Sequence, residues 1–374
     1  MSRSEPLDFR KEDVERLTKL WASSASISIV GIGSAGKTNL LQHLLSHPVQ
    51  AHYLGSNSPI KPVLVDANLL GPLPHRDAPE AEAVRCWVGY ELMMHRLFLA
   101  FYPFDLLEQQ EAQRFYDAYQ ALQDGTNPLY AYMALRYFEL GLEFLMRRGV
   151  HLIFIFDEFE QMLLELPVRF FQTLRGLRDI HKTQLAYMTF TRSPLPTLVD
   201  RLALPALDME PFIELFTDHV HYLGPYNEVD GRRMLERLAH RRGKPHSEAL
   251  NDLLLQATGR YAGLLRAGYM ALDDGRAGAE PASLQALTEL LIAKPAVRAE
   301  CKTIWAGLNR SERYVLKAVA RLTPYHISAE TEQAVAMLIQ KRLLRLTRSE
   351  QRLEIEPPLF RAYVATDPDP DIYD

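Results

Sequence analysis

One short stretch, GIGSAGKT at residues 31–38, constrains this chain more than any other. It fits the pattern G-x-x-x-x-G-K-[ST], which average residue usage would produce by chance in only about 1% of chains of this length. An apolar run precedes it at 27–30 and another follows at 40–45, so the sequence predicts a strand, a tight loop and a helix. We interpret the stretch as a phosphate-binding loop rather than a simple turn.

The chemistry of phosphate explains the residue types in this loop. Small residues let the backbone curl so that several N–H groups face phosphate oxygens, and the helix N-terminus adds its positive end. Lys37 would reach the β and γ phosphates, while the Thr38 hydroxyl would hold Mg²⁺. The residues predicted to bind nucleotide here are Gly31, Gly33, Ser34, Ala35, Gly36, Lys37, Thr38 and Asn39.

A phosphate loop of this kind needs an acidic partner at the end of another strand, and HLIFIFDEFEQ supplies one. Asp157 ends the apolar run and would position Mg²⁺, and Glu158 would orient and deprotonate the attacking water. Acidic residues in this position also cap helices. Beside a complete phosphate loop, the catalytic interpretation is favoured.

The next predicted strand, QLAYMTFTR, ends in Arg192. We expect this strand to lie beside the one that ends at Asp157, so that its C-terminal residues face the γ-phosphate in the crevice where open α/β sheets bind ligands. Arg192 would then sense the γ-phosphate, unless it only fixes a loop. Arg201 is an alternative arginine that would act on a neighbouring subunit.

Composition excludes several other classes of protein. The chain has 374 residues and a net charge of −5. Its only two cysteines, Cys86 and Cys301, are far apart, so the sequence indicates neither a disulfide framework nor a zinc site. No apolar leader or membrane-spanning run is present, and we expect a cytoplasmic protein. The guanine-reading pattern Asn-Lys-x-Asp is absent, so ATP is favoured over GTP, with adenine contacts expected near Phe9 and Arg10.

Together these motifs resemble the AAA-like and STAND branch of the P-loop ATPases, of the class that carries a glutamate after the second acidic residue. FRKEDVERL is similar to the family's N-terminal motif, although its glycine is missing, and HYLGPYNEVDGRRMLERL is similar to the start of its helical lid. The resemblance implies that Pro225 contacts the nucleotide. In ATGRYAGLLRAGYMAL the family's histidine is replaced by Tyr261, which leaves Arg260 and Arg266 as substitutes for a nucleotide sensor.

Strands alternate with helices as far as residue 224, which predicts a parallel sheet. The resemblance implies the α/β fold class, with a three-layer α/β/α P-loop NTPase core, a helical lid and a winged helix. We expect the core at 1–224, the lid at 225–296, the winged helix at 297–365 and a disordered acidic tail at 366–374.

The winged helix raises the question of DNA binding. Residues 297–365 carry a mild excess of basic residues, but Glu330 and Glu332 begin the presumed recognition helix and would approach phosphates. The basic residues expected to contact DNA are Lys341, Arg342, Arg345, Arg348 and Arg352. The alternative is a solvated charged face.

Three functions remain open from the sequence. The first is a Mg²⁺-dependent ATPase that cycles between ATP and ADP as a molecular switch and controls self-association or binding of a partner protein; the resemblance implies a setting in bacterial signalling or defence. The second is a DNA-binding ATPase of the initiator or transposition-regulator kind. The third is a nucleotide-binding scaffold with negligible turnover.

Overall fold

Five apolar runs form one sheet in the computed structural model, which describes residues 5–124, 128–273, 280–347 and 352–366. The strands are β1 (Ile27–Val30), β2 (Ile60–Asp66), β3 (His151–Asp157), β4 (Leu185–Thr191) and β5 (Val220–Tyr222). Every residue of β1 and β4 is buried, as are the five central residues of β3. Strands buried on both faces read as continuous apolar runs rather than alternating ones, which is why these segments were recognisable in the sequence.

The strand order is β2-β3-β4-β1-β5, and the pairings β2–β3, β3–β4 and β4–β1 are parallel. The prediction that β4 lies beside β3 is confirmed, with Phe156 opposite Thr189. Parallel pairing brings the carboxyl ends of these four strands to one edge of the sheet. Val30 is opposite Thr191 there, and Asp66 is opposite Asp157.

Ten helices accompany these strands in the described part of the chain up to residue 221. They are α1 (Lys11–Ala22), α2 (Lys37–Leu44), α3 (His47–Leu54), α4 (Ala81–Phe101), α5 (Gln109–Gln123), α6 (Pro128–Arg147), α7 (Phe159–Glu165), α8 (Val168–Ile180), α9 (Leu195–Arg201) and α10 (Ala206–Ile213). Aromatic side chains of α4, α5, α6 and α8, such as Tyr90, Phe115, Phe138 and Phe170, fill the core. Pro48 lies in the first turn of α3, where proline is tolerated because its missing N–H would have no partner within the helix.

The remainder of the described chain is mostly helical. It contains α11 (Glu228–Arg242), α12 (Glu248–Thr258), α13 (Ala262–Asp273), α14 (Leu284–Ile292), α15 (Pro295–Ala306), α16 (Arg310–Arg321), α17 (Ala329–Gln340), β6 (Leu344–Thr347), β7 (Arg352–Ile355) and α18 (Pro358–Ala365). The antiparallel pair β6–β7 follows α16 and α17, which is the order expected of a winged helix. The expected boundary between 296 and 297 falls inside α15, and α15 packs against both α13 and α18.

Contacts divide the chain into two compact units whose members are not continuous in sequence. The first contains the N-terminal segment through Lys11, the loop segment Gly31–Gln42 and the chain from Tyr222 onward. The second contains Glu12–Val30 and His43–His221. The phosphate loop therefore groups with the C-terminal helices. Most of the predicted acidic tail, from residue 367, lies outside the described residues. None of the helices in the described part of the chain is long and apolar enough to cross a membrane.

Candidate functional site

The loop after β1 has the backbone geometry that phosphate binding requires. Ser34 and Gly36 have φ angles of +65° and +86°, in the left-handed region. Such residues turn successive N–H groups toward one side of the loop and form an anion-binding concavity. A Cβ on Gly36 would be strained and would lie 3.1 Å from the Tyr226 hydroxyl and 3.2 Å from Ala262 Cβ, so the position requires glycine.

The loop runs directly into α2, whose first two residues are Lys37 and Thr38. The Lys37 ammonium donates to the carbonyl oxygen of Gly31 at 2.7 Å, so its side chain curls over the loop that it follows. Thr38 is exposed. An ammonium, a helix N-terminus and an accessible hydroxyl thus lie together at the start of α2.

The N-terminal segment is tied to this loop through Arg10. Its guanidinium donates to the carbonyl oxygens of Ala35 at 2.6 Å and Gly224 at 2.9 Å, and it lies over the ring of Tyr226 at 4.8 Å. Phe9 packs edge-to-face on the same ring. Phe9 and Arg10, the two residues expected near adenine, are therefore buried against Tyr226, and Arg10 links the loop to Gly224.

Two residues that join this cluster escaped the sequence interpretation. The Tyr226 hydroxyl accepts a hydrogen bond from the Asn39 side chain at 2.6 Å, and burial raises the pKa of this tyrosine. Asp230 accepts from the backbone N–H of Arg10 at 3.0 Å, and burial raises the pKa of its carboxyl. Asn39 was predicted as a nucleotide contact, but its tyrosine partner lies 187 residues away and gives no local signal.

The predicted catalytic residues of the second unit meet at the carboxyl edge of the sheet. Asp157 is the last residue of β3, and its side chain accepts from the backbone N–H of Glu158 at 3.0 Å. Glu158 has φ +48° and ψ +46°, a left-handed conformation that is uncommon for glutamate and is found at functional sites. Its carboxylate lies 3.5 Å from the Arg192 guanidinium, with each side chain a little over one third exposed.

Arg192 is held in place by a second glutamate. Its backbone N–H donates to the side chain of Glu160, in the first turn of α7. The predicted pair of Glu158 and Arg192 is thus brought together by the adjacency of β3 and β4. Arg201, the alternative arginine, is exposed at the end of α9.

The predicted metal is Mg²⁺, with Thr38 and Asp157 as its expected protein ligands. Among the described residues there is no cluster of three or more His, Cys, Asp or Glu side chains arranged to hold a metal. Magnesium in nucleotide sites usually takes one or two protein oxygens and completes its shell with water and phosphate. In the second unit Asp157 offers a carboxylate at the end of β3, and in the first unit Thr38 offers a hydroxyl at the start of α2.

Two solved structures are similar to this chain over nearly their whole length. The Walker-type ATPase of Pyrococcus abyssi is 15% identical, with 97% of this chain and 98% of that chain covered and a TM-score of 0.53. The ORC2 protein of Aeropyrum pernix, solved in ADPNP and ADP complexes, is 14% identical, with 96% and 92% covered and a TM-score of 0.51. The chain has the P-loop ATPase fold. No protein-family model matches the chain, and no curated protein matches it.

Within this P-loop ATPase fold, one of the predicted DNA contacts is wrong. Lys341 is 4% exposed and its ammonium pairs with Glu312 at 2.6 Å, so it holds α16 to the end of α17. Lys341 directly follows α17, and its long side chain reaches the buried carboxylate of Glu312 instead of solvent. Arg342 and Arg352 are exposed, and Arg348 lies outside the described residues.

The remaining C-terminal residues are placed as follows. Arg345 is largely exposed, but its guanidinium pairs with Glu354 at 2.9 Å and Glu356 at 3.2 Å. Glu330 and Glu332 are exposed in the first turn of α17. In the lid, the guanidinium of Arg266 lies 3.4 Å from Glu300 on α15.

Proposed function

We propose that this protein is a Mg²⁺-dependent ATPase that works as a molecular switch. The observation that carries the proposal is the phosphate loop, in which left-handed Ser34 and Gly36 lead into a helix that begins with Lys37 and Thr38. The nucleotide complexes of the Aeropyrum pernix protein, which has the same fold, support the choice of ligand.

Hydrolysis is assigned to Glu158. Its carboxylate would orient a water molecule for in-line attack on the γ-phosphate and accept a proton from it, while Lys37 and Arg192 would stabilise the charge that develops on the phosphate oxygens. Bound Mg²⁺ would neutralise phosphate charge, with Asp157 and Thr38 as its protein ligands. The 3.5 Å contact with Arg192 supports this assignment, because it holds the glutamate at the edge of the sheet where ligands of such folds bind.

The experiment compares nucleotide binding with phosphate release in three variants. We expect Glu158→Gln to retain ATP binding and to hydrolyse ATP at least about 100-fold more slowly than the unmodified protein, because only the general base is lost. Lys37→Ala should lose nucleotide binding itself. Glu210→Gln, an exposed glutamate on α10, is the charge-matched control and should behave like the unmodified protein. Undiminished turnover in Glu158→Gln would remove the assignment.

A scaffold with negligible turnover is the alternative that this comparison tests directly. If the unmodified protein binds ATP tightly and releases no phosphate above the Lys37→Ala background, the nucleotide is structural. The ADP content of the purified protein adds a second measure, since tightly retained ADP favours the switch.

A second candidate function is DNA binding through the C-terminal elements. The observation in its favour is the exposure of Arg342 and Arg352 around β6 and β7, in the order of a winged helix. The pairing of Arg345 with two glutamates, the burial of Lys341 and the exposed Glu330 count against it.

A salt titration of duplex DNA binding, with and without ATP, separates the two functions. A DNA-loading ATPase should show affinity that depends on nucleotide and falls steeply as salt rises, because counterions are released from the phosphates. A switch that acts on proteins should show little binding even at low salt. For a switch of this kind, Arg342→Ala should leave the salt dependence of DNA binding unchanged.

A further inference from the structure

The backbone of α15 lies directly against the phosphate loop. A Cβ built on Gly33 would be 2.7 Å from the Thr303 methyl group and 2.9 Å from its carbonyl carbon and oxygen. Real Cβ atoms do not approach backbone atoms so closely, so Gly33 leaves space for a helix rather than for a side chain. Gly33, the second glycine of GIGSAGKT, therefore allows α15 to pack against the loop, in addition to any part it has in phosphate binding.

Glu300 lies one turn before Thr303, on the same face of α15, because residues three apart are neighbours on a helix. Its carboxylate accepts a short hydrogen bond from the Ser34 hydroxyl of the loop. The backbone N–H of Gly263, at the start of α13, donates to the Ser34 carbonyl oxygen at 3.1 Å. A Cβ at Gly263 would collide with the Glu300 carboxylate, so this glycine makes room for the contact.

The charge at this contact is opposed to nucleotide binding. Glu300 is an anion, its side chain is only 21% exposed, and it stands on a loop whose amides and helix N-terminus are arranged to attract phosphate. A partly buried carboxylate is screened less by solvent than a surface one, so its repulsion of a nearby phosphate is stronger. The other carboxylate oxygen lies 3.4 Å from Arg266, which gives the glutamate a second partner in the same place.

The opposite side of α15 is tied to the C-terminal elements. Cys301, the next residue after Glu300, is buried and its thiol lies 3.9 Å from the Leu359 carbonyl oxygen in α18. The guanidinium of Arg298 lies over the ring of Tyr363, also in α18, at 5.7 Å. A displacement of α15 on the side that faces the loop would therefore change its contacts with α18.

We propose that Glu300 is a specificity-determining residue that competes with the γ-phosphate of ATP for the phosphate loop. With ADP or no nucleotide, the carboxylate keeps its hydrogen bond to Ser34 and holds α15 against the loop. A third phosphate displaces it and releases α15 together with its contacts to α18. The proposal rests on the proposed function, because it names how that same site distinguishes the two nucleotides.

The test measures dissociation constants of the full-length protein for a non-hydrolysable ATP analogue and for ADP. In Glu300→Gln, which keeps the size of the side chain and removes its charge, we expect the triphosphate to bind about tenfold more tightly, a change of about 1.4 kcal/mol. Binding of ADP should change less than about threefold, since Glu300 opposes mainly the third phosphate. Glu289→Gln, exposed on α14, is the matched control and should change neither constant.

Hydrogen exchange of the α15 amides provides a second readout. In the unmodified protein, the triphosphate analogue should speed exchange in α15 and ADP should not, whereas Glu300→Gln should exchange faster before any nucleotide is added. Equal affinities in Glu300→Gln and the unmodified protein, or weaker triphosphate binding in the variant, would overturn the competition. Failure of both proteins to bind either nucleotide would overturn the proposed function as well, and tight binding that ignores Glu300 would overturn only this inference.

Discussion

The glycines of the phosphate loop are required for two different reasons, backbone conformation and space for a neighbouring helix. Gly36 is required by its positive φ and by Tyr226 beside it, whereas Gly33 is required by the backbone of α15. The motif predicts the first constraint, because a curled loop needs left-handed backbone at glycine. It does not predict the second, because Thr303 is 270 residues away and the spacing of the motif contains no information about it.

Gly36→Ala tests the constraint on the loop. We expect it to lose nucleotide affinity strongly, because left-handed backbone at alanine costs about 1–2 kcal/mol and the new methyl group would press on Tyr226 and Ala262. Titration with nucleotide, monitored by fluorescence, measures the dissociation constant.

Gly55→Ala is the matched control for strain. Gly55 has φ +92°, close to that of Gly36, but nothing lies within 4 Å of the added Cβ. It should destabilise the protein through backbone strain alone and leave nucleotide affinity intact. Equal loss of affinity in the two variants would show that general destabilisation, not the loop, is being measured.

At the scale of elements, the sequence predicted most where a pattern is local. The apolar runs of β1, β3 and β4 and the acidic residues that follow β3 were recognised because buried parallel strands are continuous and chemistry gathers at their carboxyl ends. Pairings over long distances were not recognised. The contact of Glu300 with Ser34, the hydrogen bond of Asn39 with Tyr226 and the burial of Lys341 depend on how helices pack, which periodicity does not encode.

The ion pair between α16 and α17 gives a prediction at this scale. Lys341→Ala should lower the free energy of unfolding by about 3 kcal/mol or more, because it leaves the carboxylate of Glu312 buried without its partner. Urea unfolding followed by circular dichroism measures the change.

Gln340→Ala, exposed one residue earlier in α17, is the control and should change stability little. The pair Glu312→Leu with Lys341→Met should recover much of the loss, since neutral side chains of similar size need no buried partner. A fully stable Lys341→Ala would contradict the structural role of the pair.

At the scale of the whole molecule, the proposed switch predicts how turnover depends on assembly. If neighbouring subunits supply an arginine, phosphate release per subunit should rise with protein concentration and then level off. Arg201, exposed at the end of α9, is the candidate, and Arg201→Ala should flatten the curve. Arg114→Ala, exposed on α5, should leave it unchanged.

A rate per subunit that is constant over a hundredfold range of concentration would contradict this prediction. It would leave Arg192, already paired with Glu158, as the arginine that serves catalysis within one chain.

The discontinuous composition of the first compact unit has a consequence for biosynthesis. The segments through Lys11 and Gly31–Gln42 leave the ribosome well before their partners, since Tyr226 lies 187 residues after Asn39 and Glu300 lies 266 residues after Ser34. The second unit has all its residues once His221 has emerged. During synthesis the loop therefore precedes the helices that complete its surroundings, and a nascent chain should acquire its affinity for nucleotide only after α15 has emerged.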